Sequence, residues 1–183
     1  MKNFNLDKNK AFFLFVDMQE KILKSINNGE NVIKNTIIIA KTREILSMPV
    51  LVTAQYPKGL GSNLADITKH LGEFKEYPKL SFDAYSDNDI KKAVDGMGKK
   101  QIIICGIETH ICIYQTIRSL IEAGFEVFLP ADACGSRNEF NHKNALNNLD
   151  QMGTVITNTE TVLFDLAGVA GTDEFKTLQK LIL

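Results

Sequence analysis

"QIIICGIETHICIYQTIRSLIEAGFEVFLP" spans residues 101–130 and reads as one complete crossover. Gln101–Cys105 is a short apolar run without in/out alternation, the pattern of a strand covered on both faces. Gly106 permits a tight turn. Ile113, Ile117, Leu120 and Ile121 then recur at helical spacing, up to Gly124, where a helix stops. Glu126–Leu129 is a second apolar run. A strand, a helix and a strand in so short a stretch imply two parallel strands with the helix packed across the sheet.

The same pattern extends in both directions. Phe12–Val16 and Val50–Thr53 are further buried-strand runs, and Thr154–Thr157 is a fifth candidate. Between them lie helical patterns over Glu30–Ser47, Asn88–Met97 and Asn141–Met152, and a last one over Thr172–Leu183 with Thr172 as its N-cap. Alternating strands and helices predict a single-domain (residues 1–183), Rossmann-like, three-layer α/β/α fold with a mainly parallel sheet of five to six strands. Gln55–Asp87 shows little periodicity and is expected to be irregular.

Composition narrows the function. Of 183 residues 44% are hydrophobic, enough for one sizeable core. Lys and Arg number 21 against 22 Asp and Glu, so no basic excess draws nucleic acid or an anionic membrane surface. The polar start "MKNFNLDKNK" is unlike a signal peptide, and the apolar run after it meets Asp17 too soon to span a membrane. Three cysteines without a CxxC fit free thiols in a reducing cytoplasm better than a disulfide framework, a structural zinc site or a thiol redox centre.

In an open parallel sheet the site forms past the carboxyl ends of the strands. Asp17 and Gln19 stand there after the first run. An acid directly behind five apolar residues is partly buried and needs a partner, although Asp17 could simply begin a turn. Cys112 falls in the first turn of the helix after Gly106, where free amides and the helix dipole favour a thiolate. It is either a nucleophile or a small buried hydrophobe. Cys105, in a strand, and Cys134, in a loop, read as packing. No histidine is well placed as a base, since His110 and Cys112 point apart on a helix. Lys79 could stabilise a carboxylate and a thiolate together, yet by itself it resembles any surface lysine.

Four stretches, in order, carry a resemblance: "LFVDMQEKI" (14–22), "KLSFDAY" (79–85), "CGIETHIC" (105–112) and "LPADACGSRNEFNHKNAL" (129–146). Together they resemble the isochorismatase-like cysteine hydrolases, a family that includes nicotinamidases and N-carbamoylsarcosine amidases. "TAQYPKGLG" (53–61) is most similar to the isochorismatase domain-containing subgroup. The resemblance implies Asp17 as general base, Lys79 as its ammonium partner and Cys112 as nucleophile. It also implies a non-prolyl cis peptide between Ile107 and Glu108, with the Glu108 and Cys112 amides as oxyanion donors. Gln19, Gln55 and Tyr56 are the expected substrate-binding residues, although ordinary loop polar groups would look the same.

Departures from the family matter too. Nicotinamidases carry a metal-binding D-x-H after the second strand; here Ala54 and Tyr56 take those places. The expectation is therefore no metal and no cofactor, and a substrate other than nicotinamide. His110 replaces the aspartate that follows the motif threonine in nicotinamidases. Isochorismatases that cleave a vinyl ether lack the cysteine, so Cys112 points to a small amide or carbamoyl substrate. A catalytically idle oligomeric scaffold or binding protein is the alternative. The resemblance also implies a homo-oligomer, with Asn141–Met152 and "TVLFDLAGVAG" (161–171) as candidate buried or interface surface.

Overall fold

The computed structural model describes residues 2–183. Seven strands build one parallel sheet: β1 (Ala11–Val16), β2 (Val50–Gln55), β3 (Glu76–Lys79), β4 (Gln101–Ile107), β5 (Glu126–Pro130), β6 (Cys134–Gly135) and β7 (Val155–Thr157). Their order is β3-β2-β1-β4-β5-β7, and β6 pairs with the carboxyl end of β4. The helices are α1 (Glu20–Leu23), α2 (Gly29–Ile45), α3 (Pro57–Leu60), α4 (Ala65–Thr68), α5 (Asn88–Gly96), α6 (Tyr114–Glu122), α7 (Glu139–Met152), α8 (Thr159–Ala167) and α9 (Asp173–Gln179).

The expected α/β architecture holds, with more strands than the five to six expected. The two unforeseen strands are β3 and β6. β3 lies inside the segment expected to be irregular. It is the edge strand, carries Pro78 and buries only Lys79, so it has no apolar run to reveal it. β6 is two residues long, too short for any period, and it takes Cys134 out of the expected loop.

The central strands are apolar throughout because helices cover both faces. Every residue of β1 and β4 is buried. The two strands run in register from Ala11↔Gln101 to Val16↔Gly106. At that last pair a side chain is impossible: a Cβ on Gly106 would sit 2.0 Å from the Val16 carbonyl oxygen, and the residue holds φ +137°. Gly106 thus lets β4 press against β1 at the last pair of their ladder. Among the described residues, no helix is long and apolar enough to cross a membrane.

Candidate active site

Asp17 leaves β1 in a left-handed conformation, φ 55°, which a short acidic side chain tolerates better than most. Its N–H reaches the Thr53 carbonyl at 3.2 Å, and its carboxylate is fully buried. Two neighbours meet that carboxylate. The Lys79 Nζ donates to Oδ2 at 2.7 Å, and the Thr53 hydroxyl donates to Oδ1 at 2.7 Å. Lys79 ends the edge strand, yet its side chain is wholly shielded from solvent. Its ammonium also donates to Gln55 Oε1 at 2.6 Å and to the Ser81 carbonyl at 3.2 Å. Desolvating two charges costs several kcal/mol each, and such a pair persists only when further hydrogen bonds complete both shells.

Cys112 lies beside this pair. The chain after β4 first makes a π-helical turn, Thr109–Ile113, in which the Ile113 N–H reaches the Glu108 carbonyl five residues back at 3.2 Å. Cys112 sits inside that turn, ahead of α6, and is 6% exposed. The peptide between Ile107 and Glu108 is cis. Glu108 turns its own carboxylate towards Arg137, meeting the Arg137 N–H at 2.9 Å and its Nε at 3.0 Å. Two histidines brace the turn: His142 Nδ1 is 2.9 Å from Thr109 Oγ1, and His110 Nδ1 is 3.0 Å from Ser136 Oγ.

The Cys112 thiol departs from the expectation of a favoured thiolate. Its pKa is pushed up to about 12, first by burial and then by the negative charge of Asp17; the positive charge of Lys79 only partly opposes them. At neutral pH the sulfur is a thiol next to a carboxylate. The dipole of a helix end is too weak to overturn burial and an adjacent like charge.

Other expected residues are distributed differently. Gln19 is buried, with Oε1 accepting the Gln55 N–H at 2.8 Å and Nε2 donating to the Gln55 carbonyl at 3.0 Å, so its amide holds backbone. Gln55 faces Lys79, as described. Tyr56, 51% exposed, is the one of the three that faces open space. It lines a cleft of about 650 Å³ with Pro57, Pro78, Leu80 and Ser81, beside the Lys79 backbone. Among the described residues no three His, Cys, Asp or Glu side chains gather as a metal-ligand set. Thr53 was not foreseen. Its only signal is that Thr53 and Gln55 are polar at alternate positions of an otherwise apolar strand.

Comparison with known proteins adds a frame to this geometry. Residues 11–161 match the family model described as the isochorismatase domain. Isochorismatase domain-containing protein 2 of Xenopus laevis is 33% identical over 178 residues, covering 97% of this chain and 86% of its own. A solved structure described as MAR1 ribonuclease from Caenorhabditis elegans superposes with a TM-score of 0.91 at 29% identity, covering 97% of this chain and 92% of that one. The YcaC gene product of Escherichia coli, described as an octameric hydrolase of unknown specificity, gives 0.93 at 26% identity over 99% and 92% of the two chains. YcaC from Pseudomonas aeruginosa, described with hexane-2,5-diol and covalent acrylamide, gives 0.93 at 25% identity over 100% and 94%.

Proposed function

The chain belongs to the isochorismatase family, and from that premise we propose that it is a cysteine hydrolase cleaving the C–N bond of a small amide or carbamoyl compound without a metal. The observation that carries this reading is the fully buried Asp17–Lys79 pair, 2.7 Å apart, acting on the Cys112 thiol. Support for a metal-free route comes from the stretch after β2, where Ala54 and Tyr56 stand in place of an acid and a histidine.

The chemistry follows from the resting charges. Cys112 begins as a thiol and Asp17 as a carboxylate. As sulfur attacks the substrate carbonyl, the C–S bond forms and the thiol proton passes to Asp17. The Glu108 and Cys112 backbone amides receive the oxyanion, each worth about 3 kcal/mol in the transition state. The C–N bond then breaks, and Asp17 returns its proton to the leaving nitrogen. Water, deprotonated by the same carboxylate, attacks the thioester; the C–S bond breaks, the acid departs and the thiol is restored. Lys79 remains charged and keeps Asp17 from holding the proton permanently.

The covalent acrylamide described in the Pseudomonas YcaC structure shows that a protein of this fold carries a group reactive enough to be alkylated. The octamer described for the Escherichia coli protein supports a homo-oligomer here, and the exposed Leu80, Phe82 and Phe140 offer apolar surface for one. The ribonuclease description belongs to the nematode protein. This chain, with a net charge of −1, has no basic excess to hold a phosphate backbone.

An idle scaffold is the second reading, favoured by the burial of Cys112 and its elevated pKa. Ammonia release from a panel of primary amides and carbamoyl compounds decides between the two. Turnover by the wild type that disappears in Cys112→Ala supports the hydrolase. No turnover, together with no acrylamide adduct at Cys112 by mass spectrometry, supports the scaffold.

A further inference from the structure

Resting on the hydrolase reading, we propose that Thr53 and Gln55, two alternate residues on one face of β2, are positioning residues: Thr53 holds Asp17 as the proton acceptor, and Gln55 holds Lys79 as a fixed cation. Neither touches the reacting atoms in this proposal. They act through the two charged groups on either side of β2.

The strand geometry makes this possible. Side chains two apart on a strand point the same way. β2 lies between β1, which ends in Asp17, and β3, which ends in Lys79, with Thr53 paired to Val16 and Gln55 paired to Lys79 in register. One face of β2 therefore reaches both charges at once.

Each contact does a separate job. Asp17 receives Lys79 on Oδ2 and Thr53 on Oδ1, so both oxygens are oriented and each keeps a lone pair for an incoming proton. Without the hydroxyl, one buried oxygen would have no donor, and the neutral acid would be favoured over the carboxylate. Lys79 has three N–H groups and three oxygen acceptors: Asp17 Oδ2, Gln55 Oε1 and the Ser81 carbonyl. With these three oxygens around it, Lys79 is held as a fixed cation beside the Cys112 thiol. Gln55 is itself pinned in the required sense: Nε2 donates to the Leu80 carbonyl at 2.8 Å, which leaves Oε1 facing the ammonium. The groups that ionise around Asp17 are Lys79, Cys112 and, through the Asn63 amide on the Thr53 carbonyl, Glu76; Glu108 is tied to Arg137.

The test follows the rate at which 2-chloroacetamide alkylates Cys112 across pH, with the adduct located by mass spectrometry and folding checked by circular dichroism. Wild type should show an acid limb, where the rate falls, and a plateau above it. Thr53→Val should shift that limb up by about one pH unit and lower the neutral rate about tenfold, and Thr53→Ser should recover most of both. Gln55→Met should lower the plateau about tenfold and leave the limb in place. General loosening of the site would lower the plateau in both variants without moving the limb. If Thr53→Val does not fold, Thr53→Ala carries the same expectation. An unmoved limb in the Thr53 variant, or an undiminished plateau in Gln55→Met, overturns the proposal and leaves the hydrolase reading intact. A wild-type Cys112 no faster than in Asp17→Asn overturns the hydrolase reading, and this proposal with it.

Discussion

At the carboxyl end of β1, Asp17 is fully buried between an ammonium and a hydroxyl, beside a thiol. Just past the carboxyl end of β5, Asp132 is half-buried, and its Oδ1 takes hydrogen bonds from the Thr159 N–H at 2.8 Å and the Thr159 hydroxyl at 2.9 Å. Both acids follow apolar parallel strands, and each lies near a buried cysteine. Cys134, near Asp132, is pushed up to about 12 much as Cys112 is, chiefly by burial. The contrast teaches that neither position in the sheet nor an elevated thiol pKa marks the reactive group. What separates the two ends is a buried cation: Lys79 serves Asp17, and Asp132 has only the start of α8.

The hydrolase reading can be broken most decisively by exchanging the acids. Asp17→Asn should lower amide hydrolysis by about 10²–10⁴-fold, the usual contribution of a positioned base. Asp132→Ala should leave it unchanged. Equal losses in ammonia release from the two variants would erase the distinction between the ends of the sheet.

The buried cation gives the next largest effect. Lys79→Met strands a buried carboxylate and should cost about 3–5 kcal/mol in urea denaturation. Removing the exposed Lys143–Glu139 pair should leave the urea midpoint nearly unchanged, because water and salt screen it. The Lys79→Met, Asp17→Asn double variant should be more stable than Lys79→Met alone, because the stranded charge is gone. A double variant no more stable than the single one would mean the pair is not coupled as its 2.7 Å separation implies.

The thiols sharpen the comparison from the other side, because stability should not tell them apart. Cys112 and Cys134 are each raised from an ordinary 9.0 to about 12. A raised pKa means that the folded state keeps its proton while the unfolded chain loses it. The contribution is therefore complete below about pH 9 and lost as pH climbs towards 12, by about 1.4 kcal/mol per pH unit for each thiol. Cys112→Ala and Cys134→Ala should flatten the alkaline decline by similar amounts in urea melts. Only Cys112→Ala should abolish turnover.

Much of this was legible in the sequence, for physical reasons. Strands sheathed on both faces are apolar without alternation, so β1, β2, β4 and β5 announced themselves, and β7, although at the edge, showed through its β-branched residues. β3 did not, because an edge strand with Pro78 needs no apolar run. Lys79 shared its concealment: flanked by exposed Pro78 and Leu80, it reads as a surface residue, and only pairing with β2 turns its side chain inward. α8 was visible only as an apolar stretch; it buries Val162, Leu163 and Leu166 and packs against α2 and α9. Thr53 was hidden because threonine is itself a common strand residue, and its hydroxyl matters only once Asp17 is beside it. The ionisation of Cys112 was misread for a related reason: the turn was visible in the sequence, whereas the burial and the neighbouring carboxylate come from distant parts of the chain.

Asp132 contributes to stability and not to the chemistry. Asn158 already caps α8 by accepting the Thr161 N–H at 2.8 Å, so Asp132 supplements a cap that is in place. Its carboxylate satisfies the Thr159 N–H and hydroxyl and lies where the dipole favours a negative charge. Asp132→Ala should therefore cost about 1–2 kcal/mol in urea denaturation, the range for losing a helix-start acceptor. Asp132→Asn, which keeps an oxygen but not the charge, should cost less than about 1 kcal/mol. Because the shared partner is Thr159, Thr159→Val should bring no full additional loss when combined with Asp132→Ala. An additive double variant would show that Asp132 works through something other than the start of α8, and its assignment to structure would have to give way.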